Sequence, residues 1–183
     1  MQQKTIGILV GSLRQGSFSK QIAGHLAGLL SAAFDICPLD ISQLVLYNQD
    51  LDSAPPPAWQ DFRAQVRALD GVLFVTPEYN RSIPPVLKNA MDIASRPYGV
   101  NAWSGKPGGV ISVSPGALGG FGANHHLRQV AACLNIFLMQ QPEAYIGNIA
   151  KAFDAGDRLV DEGIRGFLQK FASAYTDWVN RFY

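Results

Sequence analysis

Apolar runs and amphipathic helical patterns alternate along this chain almost from its first residue to its last. Unbroken or nearly unbroken apolar runs predict strands over residues 6–10, 34–39, 71–75, 109–113 and 136–139. Apolar positions at helical spacing predict helices over residues 17–32, 59–69, 85–95, 123–134 and 160–182. Five strands that alternate with five helices predict an α/β fold with an open parallel sheet and helices on both faces.

The run Gly71-Val72-Leu73-Phe74-Val75 is the most continuous apolar stretch in the chain. It has no polar alternation, which indicates a strand covered on both faces near the middle of the sheet. Residues 145–152, by contrast, are predicted to form a loop. In parallel α/β sheets, ligands bind beyond the carboxyl ends of the strands. We therefore expect the loops after strands one, three and four to meet in one crevice.

The first of these loops, residues 11–20, joins a strand to a helix and is rich in small polar residues. A helix N-terminus there directs unpaired backbone N–H groups towards an anion. The loop also supplies serine hydroxyls and one guanidinium group, from Ser12, Ser17, Ser19 and Arg14. These features favour a phosphate cradle. The alternative is a polar turn that Ser caps without any ligand.

The second loop, residues 76–85, offers the Tyr79 ring and the Asn80 amide between two prolines, which suits a planar ligand with carbonyl and N–H edges. The third loop, residues 114–122, is mostly backbone, and its glycines allow close approach to a flat surface. Alternatives stand beside these readings. In these alternatives, Tyr79 packs on the surface, Glu78 is an ordinary solvated or interface carboxylate, and the glycines only permit a tight turn.

Composition narrows the classes of function. The chain has 183 residues, 48% hydrophobic and 16% charged, which predicts one globular domain over residues 1–183. A formal net charge of +1 gives no basic surface for nucleic acid. We expect no membrane insertion and a cytoplasmic location, because no export signal or membrane-length apolar run is present. Cys37 and Cys133 form no metal-ligand spacing, so no metal is expected.

The absence of two motifs narrows the class of ligand that the first loop is expected to bind. The P-loop pattern GxxxxGK[ST] does not occur, and the dinucleotide pattern GxGxxG does not occur at the first loop, where only Gly11 and Gly16 are present. These absences favour a mononucleotide-like ligand, with its phosphate at the first helix, over ATP or a Rossmann-bound NAD. Ser12 also lacks the GxSxG context of a hydrolase.

At this point the sequence resembles a known family. Gly11-Ser12-Leu13-Arg14-Gln15-Gly16-Ser17-Phe18-Ser19, Thr76-Pro77-Glu78-Tyr79-Asn80 and Leu87-Lys88-Asn89-Ala90 resemble motifs of the NADPH-dependent FMN reductase family, with its bacterial quinone and chromate reductases the most alike. The likeness spans nearly the whole chain. Ser19 stands where the family often has Asn, and Pro85 where Gly is usual.

The resemblance implies a flavodoxin-like three-layer sandwich with a five-stranded parallel sheet in the order 2-1-3-4-5. It implies FMN as cofactor and NADPH or NADH as co-substrate, with ping-pong hydride transfer to a quinone or to chromate, azo compounds or free flavin. No catalytic side chain is expected, because FMN carries the chemistry. A homodimer or homotetramer is also implied. The alternative is a flavodoxin-type electron-transfer protein without its own NAD(P)H turnover.

The resemblance also implies which residues bind the cofactor. The family's phosphate loop corresponds to Ser12, Leu13, Arg14, Gln15, Gly16, Ser17, Phe18 and Ser19. Its flavin-ring loop corresponds to Pro77, Glu78, Tyr79 and Asn80, and a further contact corresponds to Val113 and Ser114.

Overall fold

The computed structural model describes residues 3–183. Its strands are β1 (Lys4–Val10), β2 (Phe34–Leu39), β3 (Gly71–Thr76), β4 (Pro107–Val113), β5 (Phe137–Leu138) and β6 (Ala144–Ile146). Its α-helices are α1 (Phe18–Leu30), α2 (Pro57–Ala68), α3 (Pro85–Ala94), α4 (Phe121–Cys133) and α5 (Glu162–Asn180). Short 3₁₀ turns lie at Gln49–Leu51 and Ile149–Ala152.

The strands form one parallel sheet in the order β2-β1-β3-β4-β5, which confirms the predicted 2-1-3-4-5 order. Every residue of β3 and of β4 is buried. The prediction that residues 71–75 form a central strand is therefore also confirmed. Full burial explains why these strands lack polar alternation, since both faces contact helices.

The fifth position of the sheet differs from the prediction. It consists of two short segments, because β5 pairs with Pro107 and Gly108 of β4 while β6 pairs with Ile111, Ser112 and Val113. The prediction that residues 145–152 form a loop is wrong, since they hold most of β6 and a 3₁₀ turn. A strand of three residues is too short to show periodicity, and its register with β4 defines it.

Two separate cores lie on the two faces of the sheet. On one face, α2, α3 and α4 pack around Trp59, Trp103 and Phe74, which are fully buried. On the other face, α1 and α5 cover the sheet through residues such as Ile22 and Phe171. Helices thus cover both faces, as the alternating pattern predicts.

Local chemistry marks where the helices begin. Ser17 caps α1, with its side chain accepting from the Lys20 N–H, and Asp161 caps α5 by accepting from the Ile164 N–H. The helices α2 and α3 begin instead with Pro57 and Pro85, whose missing N–H costs nothing in a first turn. Ser17 and Pro85 were the predicted first residues of the first and third helices.

The long connection between β2 and α2 is held by buried polar groups. The Asn89 side chain, 6% exposed on α3, accepts from the Tyr47 N–H at 2.8 Å and donates to the Leu44 and Val45 carbonyls at 3.0 and 3.1 Å. Further along the connection, Asp52 forms an ion pair with the buried Arg63 at 3.3 Å. These bonds fix the connection against the α2 and α3 layer.

The C-terminal helix α5 spans 19 residues and is amphipathic. It buries Leu168, Phe171, Ala172, Tyr175 and Val179, while the other residues between them are at least partly exposed. Within residues 3–183, none of the helices combines the length and the apolar character needed to cross a membrane.

Candidate functional site

The first loop presents unpaired donors at the start of α1. Ser12 and Ser19 are 4% and 2% exposed, and neither hydroxyl finds a hydrogen-bond partner among residues 3–183. The backbone N–H groups of Phe18 and Ser19, in the first turn of α1, also have no acceptor within those residues. Because Ser12 and Ser19 line the cavity, their hydroxyls and these N–H groups can donate to an external acceptor such as a phosphate.

Two predicted phosphate ligands have local contacts as well. Ser17 Oγ accepts from the Lys20 N–H at 3.4 Å, so this side chain also caps the helix. The Arg14 guanidinium donates to the Gly16 carbonyl at 2.8 Å and lies 5.7 Å from the centre of the Phe18 ring. Gly16 has a φ of +63°, which glycine adopts readily. Arg14 is thereby held over the loop at the edge of the cavity.

The second loop is built on a tight turn. Tyr79 and Ser82 exchange two backbone hydrogen bonds of 2.9 and 3.0 Å, and the two residues between them, Asn80 and Arg81, have φ values of 51° and 66°. Positive φ at both central positions is the pattern of a type I′ turn, which Asn favours. The turn holds the Tyr79 ring at the mouth of the crevice, 46% exposed.

Glu78 connects this loop to α4. Its Oε2 accepts from the Ala123 N–H at 3.0 Å, in the first turn of α4, where Gly120 offers no side-chain cap. Gly122 leaves the room for this contact, because a Cβ there would lie 2.9 Å from the same oxygen. Glu78 also pairs with the exposed Arg81 at 3.3 Å. Its carboxylate is therefore a helix cap, neither simply solvated nor directed only at a ligand.

The third loop is fixed by backbone bonds to the split edge of the sheet. The Ser114 N–H donates to the Ile146 carbonyl at 2.9 Å, and the Ser114 carbonyl accepts from the Ile149 N–H at 3.2 Å. The Ser114 hydroxyl accepts from the Gly116 N–H at 3.1 Å. Ser114 thus shapes the loop, while its neighbours Val113 and Pro115 line the cavity.

A buried polar network supports the third loop from behind. Asn124, fully buried on α4, donates to Ser112 Oγ at 3.2 Å and to the Ala144 carbonyl at 3.1 Å. Ser112 Oγ donates in turn to the Gly119 carbonyl at 2.7 Å. Sequence analysis missed this network. The available signal was a polar residue inside each of two apolar patterns, Ser112 in a strand and Asn124 in a helix.

The three loops enclose one cavity of about 370 Å³. This volume lies within the range found for cavities that bind small molecules. Its walls come from Ser12, Arg14, Ser17, Phe18, Ser19, Pro77, Glu78, Tyr79, Val113 and Pro115. Pro115 was missed by the sequence analysis. The predicted residues outside its lining are Leu13, Gln15, Gly16, Asn80 and Ser114, of which Asn80 and Ser114 shape the loops.

None of the three histidines lines this cavity. His125 Nε2 lies 3.0 Å from the Tyr145 hydroxyl, and His126 Nδ1 lies 2.7 Å from the Ser82 hydroxyl. His25 lies on α1, where burial and then the Arg165 charge lower the pKa of its imidazole. The three imidazole rings therefore lie outside the lining of this cavity.

The comparison with known proteins identifies the family. The sequence model described as NADPH-dependent FMN reductase matches residues 4–151. The chain belongs to this family. As a member of the NADPH-dependent FMN reductases, it is an NAD(P)H-dependent oxidoreductase with FMN as its cofactor.

Relatives and solved structures agree with that family. A quinone reductase of Pseudomonas putida is 50% identical over 97% of this chain and 96% of its own length. A 2-hydroxy-1,4-benzoquinone reductase of a Burkholderia species is 49% identical over 95% of each chain. The structure of FerB, a flavoenzyme NAD(P)H:(acceptor) oxidoreductase of Paracoccus denitrificans, is 38% identical over 98% of each chain, with a TM-score of 0.91.

The residues of the cavity fit the FMN that this family uses. An FMN phosphate is a dianion that needs several donors, and the first loop supplies two buried hydroxyls and two unpaired N–H groups. The rest of the cavity is bounded by the Phe18 and Tyr79 rings and by Pro77, Val113 and Pro115, which suit a flat aromatic surface.

We predict that Glu78→Ala destabilises both α4 and the second loop. Loss of the cap should lower the free energy of unfolding by about 1–2 kcal/mol, the usual value for a helix cap. Because the loop lines the cavity, the dissociation constant of FMN should also rise. Urea unfolding without FMN and fluorescence titration with FMN measure the two effects.

Arg81→Ala is the matched control, because it removes only the exposed partner of Glu78. Its effect on unfolding should stay within about 0–1 kcal/mol. Equal effects of the two substitutions would show that the Glu78 contact with α4 contributes nothing of its own.

Proposed function

We propose that this chain is an FMN-dependent NAD(P)H oxidoreductase that reduces quinones. The observation that carries the proposal is the convergence of three loops on one open cavity with unpaired phosphate donors at one end and an exposed aromatic ring at the other. The names of two relatives at 49–50% identity support a quinone as acceptor.

We propose that the first loop holds the FMN phosphate. The hydroxyls of Ser12 and Ser19 and the N–H groups at the start of α1 would be its main donors, with the Arg14 charge at the edge. Leu13, Gln15 and Gly16 supply loop backbone, and Ser17 and Phe18 supply the cap and one wall. Ser19 replaces the longer Asn found in many members, so the donor lies closer to the helix.

We propose that the second and third loops hold the flavin ring. Pro77, Glu78, Tyr79 and Asn80 would border one edge, where backbone N–H groups can stabilise negative charge, and Val113, Ser114 and Pro115 would border another. The half-exposed Tyr79 ring leaves room for a second planar molecule at the mouth. Its neighbour Glu78 stays engaged with α4, which keeps the loop fixed during turnover.

When bound, FMN would supply the redox chemistry, hydride transfer from NAD(P)H to the acceptor. The chain's residues bind and orient the reactants, and they leave the mouth open to water. No residue lining the cavity is a histidine, and Glu78 is committed to the Ala123 N–H. We propose that water, which reaches the open mouth, delivers protons to the reduced quinone.

Turnover by the purified FMN-loaded protein tests this function. We expect oxidation of NADPH or NADH that depends on added benzoquinone. Double-reciprocal plots should be parallel, as in a ping-pong scheme, because the two substrates occupy the same open mouth in turn. Absorbance at the nicotinamide band follows the reaction. A yellow protein that oxidises neither nucleotide with any quinone would refute the proposal and favour the flavodoxin-type electron carrier.

We also propose a cytoplasmic homodimer or homotetramer. Large apolar side chains lie exposed near the mouth and on α4, among them Leu118 at 61% and Phe121 at 51%. Exposed apolar patches commonly mark interfaces. The free Cys37 and Cys133 are compatible with a reducing compartment. Light scattering on the same sample should give two or four times the 19.8 kDa chain mass, and a monomer would contradict it.

A further inference from the structure

A second cavity adjoins the first on the other side of the phosphate loop. It has a volume of about 420 Å³ and lies between α1 and the segment that follows β2. We call it the α1 cleft. Its walls come from the end of β1, the first loop, α1 and residues 38–42. Nothing in the proposed quinone chemistry uses this cleft.

The walls of the α1 cleft are smooth and apolar. On the helix side they consist of Ala23, Gly24 and Ala27, and a Cβ added to Gly24 would meet no atom within 4 Å. On the strand side they consist of Pro38 and Ile41. Small side chains facing flat aliphatic ones leave a slot that suits a planar heterocycle.

Ser12 joins the cleft to the FMN cavity. It lines both, it is 4% exposed, and its hydroxyl has no partner among residues 3–183. Lys20 lies at the same junction, exposed, with its Nζ 3.4 Å from the Leu13 carbonyl. Ser12 is assigned to the FMN phosphate, so a second phosphate beside it would meet the Lys20 charge.

The cleft also carries a carboxylate, close enough to Lys20 for the two charges to interact. Asp40 directly follows β2, and its Oδ1 accepts from the Ser42 N–H at 2.8 Å. That hydrogen bond, the largest cause, holds the pKa of the Asp40 carboxyl below its usual value, so the group is an ionised acceptor at neutral pH. An ionised carboxylate can accept hydrogen bonds from the hydroxyl groups of a ribose.

We propose that the α1 cleft binds an adenosine phosphate, with the base in the apolar slot, the ribose at Asp40 and the phosphate towards Lys20. An uncharged quinone would leave these charged groups unused. Two molecules carry an adenosine phosphate that could enter the α1 cleft. One is FAD, whose adenylate would extend from a flavin phosphate held in the first loop. The other is NAD(P)H. The proposal rests on the function proposed above for that loop.

Calorimetric titration of the FMN-loaded protein with 5′-AMP tests the cleft, with 5′-UMP as the ligand control. Gly24→Leu fills the slot. Gly28→Leu is the matched control, because Gly28 lies one turn further along α1, has open space beside it and does not line the cleft. We expect Gly24→Leu to weaken AMP binding at least about ten-fold while Gly28→Leu leaves it unchanged.

Two further measurements identify the source of the adenylate. The FMN-loaded variants are equilibrated with equal FMN and FAD, and the bound flavins are separated by chromatography. If the fraction of bound FAD falls in Gly24→Leu but not in Gly28→Leu, FAD is the molecule that brings the adenylate to the cleft. If Gly24→Leu alone raises the KM for NADH or NADPH about ten-fold and leaves the KM for quinone unchanged, the nicotinamide nucleotide brings the adenylate to the cleft.

The proposal is overturned if the wild-type protein shows no saturable AMP binding, if UMP binds equally well, or if both leucine variants lose AMP binding alike. None of these results depends on quinone turnover. A protein that binds AMP in the cleft but oxidises no NAD(P)H would refute the proposed function and leave the cleft assignment standing.

Discussion

Parallel pairing of β1, β3 and β4 is the constraint on which the rest of the structure depends. It places the carboxyl ends of these strands at one edge, so the loops that follow them must meet. Gly11 shows how closely they meet. Its N–H donates to the Val75 carbonyl at 2.9 Å, and a Cβ there would lie 2.6 Å from Thr76 Oγ1. A larger residue would separate the phosphate loop from the second loop and open the cavity.

Buried hydrogen bonds then fix the loops in a shape that exists without a ligand. Glu78 joins the second loop to α4, Asn124 joins α4 to β6, and Ser114 joins the third loop to the same strand. The hydroxyls of Ser12 and Ser19, by contrast, line the cavity instead of tying loops together. A bound anion would find these donors at one end of the site. A site that is already formed loses less conformational freedom when a cofactor binds.

Much of this arrangement could be predicted from the sequence, because it depends on local patterns. The unbroken run at Val72 and Phe74 predicted the central strand, and Ser17 predicted where α1 begins. The β6 strand was missed because only its register with β4 defines it. The cap by Glu78 on Ala123 was missed for a similar reason, since 45 residues separate the two groups and only the fold brings them together. Long-range pairing of this kind leaves no periodic signal in one sequence.

The central claim is that the first loop holds the phosphate of FMN through Ser12 and Ser19. The dissociation constant of FMN for the double variant Ser12→Ala with Ser19→Ala tests it most directly, with Ser31→Ala at the exposed end of α1 as control. Loss of two hydrogen bonds to a charged group should raise the constant about a hundred-fold while the free energy of unfolding without FMN changes little. An unchanged constant in the double variant would contradict the account.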